Sequence, residues 1–192
     1  MNLAELVRKN RSYRRFIEKE SISVGQLEKW IGLARYTASG RNNQPLKYIG
    51  SVNPELNAGI FSLLGWAGYL TDWVGPEKGE RPAAYITVVH DKSISENRYC
   101  DDGISVQTIL LGAVEEGYGG CIIGSVNKPK LAGLLNLPNH FEILWVIALG
   151  KPAETVVIED LKDNNVKYWR DENQVHHVPK RSVAELIHAI IP

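Results

Sequence analysis

Cysteine, methionine and phenylalanine are scarce in this chain of 192 residues, at two, one and three copies, and there is no excess of either charge: 22 Lys and Arg stand against 22 Asp and Glu. Each scarcity excludes something. Cys100 and Cys121 are far apart and form no C-x-x-C spacing, which excludes a small disulfide-stapled scaffold and leads us to expect free thiols in a reducing compartment. Charge balance argues against a surface that tracks nucleic acid or an anionic membrane along its whole extent. The longest unbroken apolar run is Ile143–Leu149, far short of the ~20 residues that span a bilayer as a helix. Met1–Phe16 carries Arg and Lys throughout and no apolar core of signal-peptide length, so the expected location is the cytoplasm. A chain of this length can bury a core of its own, and residues 1–192 are read as one domain.

Several chemistries are also missing. Gly150-Lys151 lacks the preceding glycine and the following Ser or Thr of a phosphate-binding loop, and there is no GxSxG or HExxH. His176 and His177 are adjacent, so their side chains diverge, and His90 and His140 are scattered; no metal site is expected. Cys121 has no basic neighbour in sequence and reads as a small core residue rather than a nucleophile. No catalytic side chain is assigned, so redox chemistry, if present, comes from a cofactor.

What is present alternates helix and strand patterns without a repeat, which predicts an α+β fold with a mixed central sheet flanked by helices. Leu3, Leu6 and Val7 give a short amphipathic helix over 2–9. Ser23 with Gln26 forms a capping box for a helix over 24–36, and Asn53-Pro54 opens another after a strand over 48–52. Residues 65–82, rich in Gly, Trp and Pro, read as a flap or an ordinary packed lobe. A buried strand over 84–90 follows. Asp101-Asp102 are read as the cap of a helix over 103–116 that stops at Gly117, apolar almost all round and so covered by the domain, by a second subunit, or by both. Then come strands over 120–123 and 143–149, with an Asn127-capped helix to Leu135 between them, and a last helix from Ser182 to Ile190.

One local anomaly stands out. Residues Arg8 to Arg15 hold five cations and no carboxylate, in an otherwise neutral protein. Arginine forks and a hydroxyl at a helix-to-loop junction suit a phosphate, although a solvated basic face accounts for the charge equally well, and an arm for RNA or membrane is a third reading. Lys180-Arg181 could join the same anion if the chain ends lie close together. The loop Ala38–Pro45 concentrates amides and a hydroxyl, as either a surface turn or a bed for a planar ligand. Gly117–Gly124 fails as a dinucleotide fingerprint, because Ile122 occupies the third glycine position and the segment leads into a strand.

These residues together resemble the FMN-dependent nitroreductase family. Arg11-Ser12-Tyr13-Arg14-Arg15-Phe16 is similar to its opening block, Ser39-Gly40-Arg41-Asn42-Asn43-Gln44-Pro45 to its second, and Asp102-Gly103, Gly119–Gly124, Ala148–Pro152 and Val178–Arg181 to the rest, in order along nearly the whole chain. The resemblance implies an intertwined homodimer with FMN at each of two seams. It also implies a ping-pong cycle in which NAD(P)H gives hydride to flavin N5 and an electron-poor acceptor, a nitroaromatic or quinone, removes it. On this reading Arg11, Ser12, Lys180 and Arg181 hold the phosphate and ribityl chain, and Arg14 lies nearer the flavin N1 and O2. Ser39, Gly40, Asn42 and Gln44 belong to the cofactor set, with the Ser39–Asn42 segment reaching the ring from the opposite subunit, and the Ile122, Ile123 and Gly124 backbone passes beside it. Trp66, Tyr69 and Trp73 are the candidate substrate lid. Asn10, Ala38 and Leu46 depart from the common pattern at the phosphate end and the mouth of the site. The same scaffold also admits a flavin-dependent dehalogenase or a flavin-remodelling enzyme. An anion- or nucleic-acid-binding module using residues 8–15, without enzymatic activity, is the alternative from another class. No nucleic-acid or membrane partner is expected under the leading reading.

Overall fold

The computed structural model describes all 192 residues. Helix α1 (Leu3–Lys9) is closed by a reciprocal capping box: Glu5 N donates to Asn2 Oδ1 at 3.0 Å and Asn2 N to Glu5 Oε2 at 2.9 Å. Helix α2 (Val24–Ala34) begins on the Ser23–Gln26 box that the sequence announces and turns Leu27 and Trp30 inward. Strand β1 (Leu46–Ser51) leads to α3 (Pro54–Phe61), whose Leu56 N is capped by Asn53 Oδ1 at 2.9 Å. Residues 65–82 contain neither helix nor strand. After them come β2 (Ala84–Asp91), α4 (Asp101–Glu115), β3 (Gly119–Ile123), α5 (Lys128–Leu134) and β4 (Phe141–Gly150). The chain ends with β5 (Val156–Asp160), β6 (Trp169–Arg170), β7 (His176–Lys180) and α6 (Val183–Leu186).

Strands β1, β2, β4 and β3 lie side by side in that order, every ladder antiparallel. Alternation along β2 sends Ile86 and Val88 to the face covered by α2 and α4, and Tyr85 and Val89 to the face covered by α3 and α5. Two apolar clusters, of 13 and 9 buried residues, therefore sandwich one sheet. Each large aliphatic side chain in them stabilises the fold by about 1.5–3 kcal/mol relative to exposure. Val88 faces Trp145 while Val89 faces Ile143, which leaves Leu144 as an extra residue in β4. This bulge turns both Leu144 and Trp145 toward the α2/α4 face before Val146 returns to the other.

Helix α4 ends in a Schellman turn, with Tyr118 N bonded to Ala113 O at 2.9 Å and Gly117 N to Val114 O at 3.0 Å. Gly117 supplies the φ of 78° that this turn requires. The domain itself buries Val106, Ile109, Leu110, Ala113 and Val114, and leaves Ile104 38% exposed. No helix is long and apolar enough to cross a membrane.

The structure corrects four details of the sequence reading. The central sheet is not mixed: all of its strand pairs are antiparallel, and the parallel pair, β5 with β7, lies in another sheet. Asp101 and Asp102 are not caps: the helix begins at Asp101, the N-cap position is Cys100, and both carboxyl groups point into buried partnerships described below. The last helix stops at Leu186 instead of Ile190, despite a complete Ser182–Glu185 capping box. Within the chain Val183, Leu186 and Ile190 are exposed and nothing packs on them, so a longer helix lacks tertiary support. Finally, a second, three-stranded sheet occupies 156–180, with β5 and β7 parallel and β6 antiparallel to β7.

Candidate functional site

The basic run is threaded between two backbone rails. On one side Ser12 bridges Gly120 in the parallel sense, and Tyr13 N donates to Gly120 O at 3.1 Å. On the other, Ile17 N donates to Lys151 O at 2.8 Å and Ala153 N to Arg15 O at 2.9 Å. Phe16 is fully buried against Gly150, where an added Cβ would stand 2.9 Å from the Phe16 Cβ. The cations of this segment are thus mounted on fixed backbone.

Their side chains take different roles. Arg11 Nη2 donates to Val7 O at 2.8 Å and Tyr13 Oη to Lys9 O at 3.0 Å, which satisfies carbonyls at the open end of α1. Arg15 pairs with Glu80, its Nε 2.8 Å from Oε2, and this contact raises the guanidinium pKa and lowers that of the carboxyl group. Arg14 Nη1 donates to Ser12 O at 3.2 Å and lies 3.3 Å from His176 Nε2, with the guanidinium 4.9 Å from the centre of the Tyr168 ring. A buried carboxyl group underlies them: Glu154 Oε1 accepts from Arg14 N and, at 3.2 Å, from Arg15 N, while Oε2 accepts from Arg170 Nη2 at 3.1 Å.

Arg11, Ser12, Arg14 and Lys180 line one cleft of about 310 Å³ with Tyr168 and His176, and no carboxyl group lines it. The residues from the two ends of the chain do meet, through β7. Burial, then Arg14, Arg170 and His177, push His176 down to about 4, so its ring is neutral at neutral pH. Because guanidinium only donates, His176 Nε2 accepts from Arg14 and carries its proton on Nδ1, a buried atom with no partner. His177 diverges as expected, stacked on Trp169 at 4.1 Å and bonded to Glu159 and Asp171. Arg181 is engaged elsewhere: its Nη1 donates to Asn164 Oδ1 and to Glu185 Oε1, each at 3.2 Å.

The amide loop belongs to another surface of the same chain. Asp101 anchors it, accepting from Ser39 Oγ at 2.5 Å and Gly40 N at 2.9 Å, and Ser39 Oγ in turn accepts from Gln44 N at 2.8 Å. Ser39 and Gln44 line a hollow of about 370 Å³ that shares no residue with the arginine cleft. Arg41, Asn42 and Gln44 all have positive φ, a tight winding held by these bonds. The neighbouring Asp102 accepts from Trp145 Nε1 at 2.8 Å, and the Trp145 ring packs so closely on Gly124 that a Cβ there would lie 2.9 Å from it. The start of α4 therefore ties down both the amide loop and the end of β3. Ile122 is exposed on that strand, whereas the Ile123 side chain belongs to the core, which leaves its backbone alone for any ligand.

Residues 65–82 are a lobe packed on the site. Trp66 lies against Phe61 and Trp73, Tyr69 N donates to Tyr168 Oη at 3.4 Å, and Arg170 covers the Trp73 ring at 4.2 Å. Glu80 closes the lobe on Arg15. Cys121 is buried, and burial pushes its thiol up to about 12, as suits a core residue. No three His, Cys, Asp or Glu side chains converge as metal ligands would. The sequence reading missed Glu154, Tyr168 and Arg170 altogether and gave His176 no role beside the arginines. The only hint was that Glu154 lies two residues after Gly150-Lys151-Pro152.

Comparison with known proteins bears on the fold. Residues 70–151 match the family model described as the nitroreductase family. The fold is similar to a nitroreductase family protein from Clostridium novyi NT, at 23% identity and a TM-score of 0.68 over 96% of this chain and 99% of that one. It is also similar to an FMN-dependent nitroreductase from Clostridium difficile R20291, at 18% identity and a TM-score of 0.65 over 84% and 93% of the two chains. An NADPH:FMN oxidoreductase from Vibrio harveyi, complexed with NAD+, matches at 21% identity and a TM-score of 0.60 over 79% and 69%. The resemblance read from the sequence is borne out: this chain carries the nitroreductase family match over residues 70–151 and the nitroreductase fold over most of its length.

Proposed function

We propose that this chain is an FMN-dependent NAD(P)H oxidoreductase of nitroreductase type, working as one domain in a homodimer. One observation carries the reading: Arg11, Arg14 and Lys180 line a single cleft in which no carboxyl group neutralises them. Such a cleft fits the phosphate and ribityl chain of FMN, whose charge and hydroxyls supply the counter-charge that Arg14 and Lys180 lack and a partner for the Ser12 hydroxyl. The hollow by the amide loop is larger, but Asp101 lines it and it has no comparable surplus of positive charge, so it is the poorer anion site. FMN, when bound, supplies the chemistry: hydride from NAD(P)H is taken up at N5 and passed to an electron-poor acceptor such as a nitroaromatic or quinone.

The chain's own residues bind and orient. Arg14, held by the Glu154-bonded backbone and by His176, keeps a positive charge fixed in the cleft where negative charge is to be stabilised. Neutral His176 accepts its hydrogen bond without competing for the anion. The Ser39–Gln44 loop, preorganised by Asp101, is offered to the cleft of a second copy, since within one chain the two surfaces are separate. Exposed Leu3, Ile104, Leu186, Ile190 and Ile191 support a second copy as their cover. Trp66 and Trp73 pack within the lobe, so Tyr69, exposed and beside Tyr168, is its best remaining candidate for contact with an aromatic substrate. The basic run as a nucleic-acid arm is less well supported, because Arg15 is paired with Glu80 and Arg11 and Arg14 are gathered in one cleft instead of being spread along a surface.

Anaerobic reduction of purified, FMN-loaded protein by NADH and by NADPH, followed by reoxidation with quinones, nitroaromatics and halogenated phenols, tests the proposal. Bleaching of the flavin by one donor and its recovery with a nitroaromatic or quinone supports it. Recovery with release of halide from the phenols alone would favour the dehalogenase. Colourless protein that refuses added FMN would overturn the oxidoreductase reading.

A further inference from the structure

We infer that Glu154 is a positioning residue of the arginine cleft, setting the place of Arg14 through the backbone; the inference rests on the anion-binding reading above. Its side chain is 0% exposed. It spends one oxygen on the amide groups of Arg14 and Arg15 and the other on Arg170. A carboxyl group sealed from water needs such partners, and here one of them is the backbone of Arg14, which lines the cleft. Removing the acceptor leaves two half-buried N–H groups without any other acceptor at the root of the Arg14 side chain, and their cheapest relief is a local shift of that backbone toward water. The same knot reaches the lobe. Arg170 bonds Glu154 and covers Trp73, while Arg15 pairs with Glu80. Glu154 therefore links the placement of the cleft's cation to the packing of residues 65–82.

Charge is not what this role requires; an oxygen facing the two amide groups is. Replacing Glu154 alone would leave Arg170 buried without a counter-charge, so both members of the pair are changed together. Glu154→Gln with Arg170→Met keeps the amide acceptor, and Glu154→Leu with Arg170→Met removes it at similar volume. With both variants folded, as judged by circular dichroism and a single denaturation transition, fluorescence titration with FMN should give the Gln/Met protein an affinity within about threefold of the wild type. The Leu/Met protein should bind about tenfold more weakly or worse. Equal FMN affinity for folded Leu/Met and Gln/Met proteins overturns the inference.

Hydrogen exchange on the unaltered protein decides the matter if the Leu/Met variant does not fold. Amide protons of Arg14 and Arg15 should exchange as slowly as those of the central strands, and exchange at free-loop rates overturns the assignment. A wild-type protein that binds no FMN would sink the cofactor reading, while the exchange measurement still reads the role of Glu154.

Discussion

Arg14 Nη1 and His176 Nε2 lie 3.3 Å apart, and since the first can only donate, the second must accept. This contact ties a residue near the start of the chain to one near its end and fixes the tautomer of a buried histidine. Burial of that histidine, with Arg14 beside it, also gives the protein a pH dependence. His176 sits at about 4 in the folded state, against about 6.5 when unfolded. Between those values the unfolded chain binds a proton that the folded one refuses. The contribution is therefore fully present above about pH 6.5 and is lost as pH falls toward 4, on the order of 2 kcal/mol of it by pH 5. Urea denaturation near pH 7 and near pH 5 should show a smaller loss in His176→Gln than in the wild type; equal losses would contradict the assigned neutral state.

The two basic residues at the end of β7 should separate cleanly. Lys180 lines the cleft, whereas Arg181 is held by Asn164 and Glu185. Lys180→Ala should weaken FMN binding by about 2 kcal/mol, and Arg181→Ala by less than about 0.5 kcal/mol. Fluorescence titration of both variants checks this, and the reverse order would return Arg181 to the phosphate.

Asp101 holds the amide loop, so Asp101→Asn should loosen it. Exchanging the carboxylate for an amide weakens the bonds from Ser39 Oγ and Gly40 N at a buried position, a loss of about 1–3 kcal/mol. The denaturation midpoint should fall, and amide exchange at Gly40 and Gln44 should quicken more than elsewhere. An unchanged midpoint with an unchanged loop would contradict the anchor.

On α4 the exposed and buried faces should answer differently to charge. Ile104→Glu, on the exposed face, should leave a folded protein of monomer mass by light scattering, where the wild type is expected as a dimer. Ile109→Glu, at a fully buried position, should prevent folding altogether. A wild-type monomer, or an unaltered Ile104→Glu dimer, would remove this face from the proposed seam.

How much of this was legible in the residues depended on the range of the interaction. Ser23 with Gln26, Asn53 before Pro54, and Gly117 after an apolar helix act within a few residues, and each forms the cap or stop it announces. Asp101 and Asp102 look like caps by the same local rule, but distant partners, Ser39, Gly40 and Trp145, claim them. Ser182 caps its helix as expected, yet a good cap cannot extend a helix that nothing covers. The site was half visible: the cations could be seen as a cluster, while Glu154 and His176 lie well over a hundred residues away from Arg14, a separation that no spacing rule spans. Residues 156–180 gave no strong period because their strands are short and half-exposed.

The central claim is that the cleft of Arg11, Arg14 and Lys180 receives FMN with its phosphate on Arg11 and Lys180, and parallel titration of the protein with FMN and with riboflavin, which lacks that phosphate, tests it most directly. The account predicts that riboflavin binds at least ~30-fold more weakly, and that Arg11→Gln combined with Lys180→Ala erases most of the difference. Equal affinity for the two flavins, or no binding of either, would contradict it.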